Sequence, residues 1–213
     1  MVGTIAAEFM IEHLKAEKIG NIIYDESPAL VAIHQGKVVE PYGLFYSKKY
    51  NIVIMHAMSA PQGSEWKFAD IVIDVANQLK AKEIIGLEGV GSTSDKDVSK
   101  VFYYTTAAQK EKAFKKIGLE PLNEGIIMGI TSALLIKSKV PVSCLFAETH
   151  STLPDSKAAA KVIEALDAYL DLNVDFKPLL EMAAKFEEKI RNIMEQSKTA
   201  SEERDKKAMS YVG

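Results

Sequence analysis

The chain has 213 residues, 47% of them apolar and 26% charged, which is enough apolar mass for one large buried core and an ordinary polar surface. A formal charge of −3 supplies no basic face for phosphates and argues against nucleic acid as a partner. No run approaches the ~20 apolar residues of a membrane span, and the first residues lack the basic-then-apolar order of a secretory signal, so a cytoplasmic protein with no membrane partner is expected.

Taken in order, Val2, Ile5, Ala6, Phe9, Met10 and Leu14 recur at three and four residues and predict an amphipathic helix that stops near Gly20. Layered α/β domains usually place a strand before such a helix. Asn21–Tyr24 and Ala29–His34 read as short strands parted by a turn at Asp25-Glu26-Ser27-Pro28, and Gln35-Gly36 turns the second into Lys37–Glu40 as a hairpin. After a break at Pro41-Tyr42-Gly43, Leu44–Ser47 and then Asn51–His56 are extended. The latter is nearly continuous in apolar residues, as in a strand covered on both faces.

Ser64 is placed to cap a helix whose inner face carries Trp66, Ala69, Val72, Ile73, Ala76 and Leu79. Glu83–Glu88 is the next buried strand, and this strand–helix–strand order predicts a right-handed crossover joining two parallel strands. The stretch Gly89–Asp95 reads as a small polar loop. Val101–Thr105 follows as a strand, and Ala107–Ile117 as a helix closed by Gly118.

The segment Asn123–Ile136 is the centre of this pattern. Gly125 and Gly129, with Ser132 and Ala133, allow close backbone approach, while Ile130, Leu134 and Leu135 form a buried face. A tight glycine turn feeding a helix inside the α/β layers is the reading. Val142–Glu148 is another buried strand, and Asp155 or Ser156 caps a helix carrying Ala159, Val162, Ile163, Leu166 and Leu170. Cys144, the only cysteine, lies within that strand and reads as a small buried hydrophobe.

Leu179, Ala183, Phe186, Ile190 and Ile193 form about two heptads, suited to packing on the domain or at a subunit interface. Residues 195–207 are polar and charged and are expected to be loosely ordered on their own, before an apolar tip, Ala208–Gly213. The domain reading is thus a core over 1–172, a helix over 173–194 and a polar tail over 195–213.

The sequence offers two chemical readings. Gly89-Val90-Gly91-Ser92 resembles an anion nest, without the lysine of a P-loop or the third glycine of a dinucleotide fingerprint. His56, Glu88, Glu148 and His150 each fall at or just past a predicted strand end, where α/β folds place ligands, and carboxylate with imidazole there suits acid–base work or metal binding. Capping or solvation at the end of the core is the plainer explanation. The sequence has no HExxH, paired-cysteine or Gly-x-Ser-x-Gly pattern, so no metal and no cofactor is expected.

Read together, Glu124–Leu135, Ala147-Glu148-Thr149 and Pro154–Ala160 resemble the proteasome assembly chaperone family, and its archaeal members most of all. In that family an acidic–glycine segment leading to Gly-Ile-Ser/Thr-small-Leu-Leu precedes a strand ending in Gly/Ala-Glu-Thr and a Pro-Asp-x-Lys-Ala-Ala helix start. Val2-Gly3-x-Ile5-Ala6 with Leu14-Lys15 is similar to the family's first helix, and the resemblance spans about residues 2–172. It implies a three-layer α/β/α sandwich with a mixed, largely parallel central sheet and a C-terminal helical extension. It further implies self-association, binding to proteasome α subunits and no enzymatic role, although the fold is similar to that of certain phosphorylases and hydrolases. A hydrolase or phosphorylase using Glu88, Glu148, His150 and His56 is therefore the runner-up. Family members often dock through a terminal hydrophobic-Tyr-any motif, which implies a partner-binding role for Tyr211, Val212 and Gly213. Here the tyrosine is third from the end rather than second. The family also opens with a strand and glycine turn ahead of Val2-Gly3, and a truncated start is the expectation here.

Overall fold

The computed structural model describes residues 2–25, 32–34, 37–57, 63–91, 100–149 and 155–181. Helix α1, Val2–His13, buries Val2, Ala6, Ala7 and Met10. It ends at His13, with Lys15 just beyond it in the left-handed region at φ 48°, rather than near Gly20. Gly20 instead lies inside strand β1, Glu17–Asn21, so the strand expected over Asn21–Tyr24 starts four residues earlier. Strands β2 (Ala32–His34) and β3 (Lys37–Val39) pair antiparallel as the expected hairpin. Strands β4 (Tyr42–Ser47) and β5 (Ile52–Ala57) complete an antiparallel sheet in the order β1-β4-β5.

Helix α2 covers Glu65–Gln78, with Ser64 at the cap position but its side chain not capping. Two residues assigned to its inner face turn outward: Trp66 and Leu79 are exposed. Phe68, which the helical count missed, is fully buried against Tyr42 at 4.6 Å between ring centroids. The wheel was rotated because Phe68 and Ala69, one residue apart, are both buried, whereas the first turn at Trp66 reaches beyond the layer.

A second sheet has the order β6-β9-β7-β8, with β6 at Ile84–Gly91, β7 at Val101–Thr105, β8 at Glu120–Pro121 and β9 at Val142–Thr149. β6 runs parallel to β9 over eight rungs, β7 antiparallel to β9, and β8 parallel to β7. The sheet is mixed and mostly parallel. The anion-nest reading fails at Gly89 and Gly91, which pair with Ala147 and Thr149 as strand residues. Glycine here serves the strand's slimness rather than a turn, since a Cβ on Gly89 would come 2.9 Å from Val2 Cγ2.

Helix α3 (Ala108–Lys116) closes at Gly118, with φ 82°. Helix α4 (Ile130–Lys137) packs on α2, and helix α5 (Ser156–Leu170) is capped by Asp155, whose Oδ1 accepts from Ala158 N at 2.8 Å. Alternation along β9 shows the layers. Leu145 and Ala147 join α1 and α5 in one core, while Val142, Cys144 and Phe146 join α2 and α4 in another. Leu172, Val174 and Leu179 extend the first core, and the rest of the heptad seam lies outside the described residues.

One expectation is corrected by topology. Among the described residues β5 and β6 are not paired neighbours; each is an edge strand of its own sheet. The first turn of α1 sits at that seam. Thr4 Oγ1 donates to the Ala57 carbonyl at 3.3 Å, and a Cβ on Gly3 would lie 2.1 Å from the Leu87 carbonyl oxygen. α1 and α2 each contribute to cores on both sheets, so the sheets share one middle layer between two helical layers.

Candidate functional site

Of the four strand-end residues, His56, Glu88 and Glu148 are described, and His56 does not join the two glutamates. His56 shares strand parity with Ile52 and Ile54, which face α1, whereas Glu88 and Glu148 lie on the opposite face with the α4 core. His56 is buried, and its Nε2 has no hydrogen-bond partner among the described residues. Burial holds its imidazole below the ordinary value, opposed by the field of Glu8. Glu88 accepts a hydrogen bond from Thr131 Oγ1 on α4. Burial pushes its carboxyl up, and the Thr131 bond partly offsets this.

Glu148 sits two rungs beyond Glu88, on the same face and at the rim, where its Oε2 accepts from the Lys100 backbone N–H at 3.2 Å. His150 lies outside the described residues, as do Tyr211, Val212 and Gly213. Among the described residues no group of three or more His, Cys, Asp or Glu side chains is placed to hold a metal ion. Cys144 is fully buried, and burial with the nearby Glu88 charge pushes its thiol up to about 12, too high for a thiolate nucleophile.

The glycine segment divides in two. Residues 123–129 form a loop, and the helix begins only at Ile130. Gly129 caps it at φ 82°, ψ −157°, a region open almost only to glycine, and Ser132 Oγ donates to the Gly129 carbonyl at 2.7 Å. Thr131, Ala133 and Leu134 are buried, but α4 belongs to an outer layer and not to the middle. Glu124 and Gly125 are exposed, and so are the apolar residues Ile126 (90%), Met128 (81%) and Ile136 (72%) of a segment read as the start of a buried helix. Hydrophobicity alone does not separate a core from an uncovered surface.

Beside this loop, at the carboxyl ends of β6 and β9, lies a cavity of about 400 Å³. Val90, Phe102 and Leu122 give it an apolar lining, and Glu120, Glu124 and Glu148 supply three carboxylates. Of its residues only Glu148 belongs to the predicted quartet. The signal for the others was the antiparallel return of β7 and the two-residue β8, neither of which hydrophobic patterning reveals.

The PAC2 family profile matches residues 1–194. In three dimensions the chain is similar to Pyrococcus furiosus PbaA, an archaeal homolog of proteasome-assembly chaperone. The match has 28% identity and a TM-score of 0.84, and covers 97% of this chain and 87% of that one. It also shares the fold of Pyrococcus furiosus PbaB, an archaeal proteasome activator, with a TM-score of 0.78, 23% identity and coverage of 91% and 88%. By sequence it is 24% identical over 201 residues to an uncharacterized protein of Methanocaldococcus jannaschii, covering 92% of this chain and 82% of that protein. With 194 of its 213 residues matched and a three-layer fold to go with them, the chain belongs to the PAC2 family.

Proposed function

We propose that this protein is a proteasome assembly chaperone or proteasome-binding protein with no enzymatic role, which binds α subunits in part through its C-terminal tail. The observation that carries the reading is the family match across the whole core, joined to the structural likeness to PbaA. The divergence of His56 from the two glutamates supports a binding role over acid–base catalysis. The protein acts as a cytoplasmic homo-oligomer and needs no cofactor. The polar stretch 195–207 gives reach, and Tyr211-Val212-Gly213 presents an aromatic beside the terminal carboxylate, a combination that suits capture by a lysine-lined pocket.

Pull-down with archaeal proteasome α subunits, comparing the full chain with one ending at Met209, tests this. Full-length binding with loss on truncation is expected. Equal binding by both would remove the tail from the mechanism, and binding by neither would remove the function.

The runner-up, a hydrolase or phosphorylase, draws on one observation: Glu148 opens onto a cavity of ligand size. Calorimetric titration with nucleosides and phosphate is expected to give no heat of binding. Saturable binding lost in Glu148→Gln would favour the enzyme.

A further inference from the structure

Helix α4 and the loop ahead of it carry an apolar strip on the outside of the molecule. Ile126, Met128 and Ile136 are mostly exposed, and Trp66 of α2 is half exposed. Gly129 and Ile136 stand seven residues apart, two helical turns. Ile136 therefore lies on the side of the helix where Gly129, next to Met128, begins it, at the other end of a rod ~12 Å long. At that far end Lys137 pairs with Asp70 on α2, and its Nζ lies 3.5 Å from the Trp66 carbonyl oxygen, which brings the Trp66 turn up beside Ile136. The two ends of the strip differ in charge. Exposed Glu124 precedes Ile126, and exposed Lys139 follows Ile136.

We propose that this strip is a two-fold contact between two copies of the chain, laid antiparallel so that Ile126 and Met128 of one copy cover Ile136 and Trp66 of the other. The proposal rests on the homo-oligomer reading above and names the surface that serves it. Area and charge both select a second copy as the occupant. Four side chains exposed to this degree present roughly 500 Å² of apolar surface, the size of a functional patch. Facing strips bury about 1,000 Å², and with a polar rim they reach the ~1,600 Å² of a stable interface, whereas a short peptide covers one strip alone. A two-fold axis repeats every contact, so antiparallel strips set Glu124 of each copy toward Lys139 of the other. The strip is self-complementary in both respects.

Sedimentation equilibrium of the full chain at micromolar concentration, alongside binding to archaeal proteasome α subunits, tests this. The full chain is expected to self-associate. Ile126→Ser/Ile136→Ser, at exposed positions and checked for unchanged melting, is expected to associate about tenfold more weakly or worse. Glu124→Lys and Lys139→Glu are each expected to lose about threefold or more at low salt, because each sets two like-charged pairs across the axis. The double variant Glu124→Lys/Lys139→Glu restores opposite pairs and is expected to return to within about twofold of wild type. A monomeric full chain would overturn the proposal together with the homo-oligomer reading. An apolar variant that associates as wild type, or a charge swap no better than either single change, would overturn the proposal alone. So would loss of α-subunit binding with self-association intact, because the strip would then face the proteasome.

Discussion

Gly3 and Gly20 are both glycines near the start of the chain, yet substitution should separate them sharply. A Cβ on Gly3 meets the backbone oxygen of Leu87 at 2.1 Å, and neither helix α1 nor strand β6 can move without disturbing a core. Gly3→Ala is expected to cost about 2–3 kcal/mol, while Gly20→Ala, with open space around its Cβ, should be close to neutral by chemical denaturation. Gly129→Ala places a side chain in a glycine-only region and is expected to cost about 1–3 kcal/mol.

Two buried titratable groups bias stability in opposite pH windows. The Glu88 carboxyl is raised from 4.5 when folded, so the unfolded chain gives up that proton first. Stability from this group is full at low pH and is lost as pH rises from about 4.5 through the folded value. Glu88→Gln, which can still accept from Thr131, is expected to melt higher than wild type at pH 7 and to lose that advantage on acidification. The His56 imidazole is lowered from 6.5, so stability falls as pH drops below about 6.5 toward the folded value, and His56→Leu is expected to flatten that part of the curve. Melting temperature against pH checks both. A Glu88→Gln gain that grew with acid would contradict the burial argument.

At the scale of elements, Glu83, one residue ahead of β6, ties three of them together. Its carboxylate accepts from Ser143 Oγ on β9, from Lys110 Nζ on α3 at 2.7 Å and from the Tyr169 hydroxyl on α5 at 3.0 Å. Glu83 is only 8% exposed, so removing it strands buried donors and a lysine whose pKa the Glu83 bond holds up. Glu83→Ala is expected to cost about 3 kcal/mol or more. Glu111→Ala, which breaks an exposed i,i+4 pair with Lys115, should cost under about 0.5 kcal/mol.

The strand edges make a second prediction. The outer edge strands are protected. β1 carries Glu17 and Lys18 and an irregular register, and β8 is two residues long and ends in Pro121. β5 and β6 lack such devices along Ile52–Met55 and Ile84–Leu87 and lean on α1 at the seam instead. Alternate amides of β6, those turned from β9, are expected to exchange about tenfold faster than those paired with it, as read by hydrogen exchange.

These elements also show what a sequence makes legible. β9 is plain because Val142–Ala147 is covered on both faces and so reads as an apolar run broken only by Ser143. The Asp155 cap was plain because the chemistry of a helix start is local. The split between sheets was not, since a strand–helix–strand order implies direction without fixing adjacency. The exposure of Ile126, Met128 and Trp66 is equally hidden, because an apolar residue left in water reads the same in sequence as one in a core. Of the three described members of the acid–base quartet, Glu88 and Glu148 share a face, as neighbouring parallel strand ends allow. The face occupied by His56 depended on which sheet its strand joined.

At the scale of the whole molecule, the sheets lie between two helical layers. A cavity lined by three carboxylates opens at the strand ends, and the chain continues past Leu179 toward its aromatic tip. No described helix is long and apolar enough to cross a membrane. The most direct measurement is biolayer interferometry on immobilised archaeal proteasome α subunits, using the full chain and the chain ending at Met209. The full chain is predicted to bind saturably and the shortened one at least about tenfold more weakly; no saturable binding by the full, correctly folded chain would contradict the account.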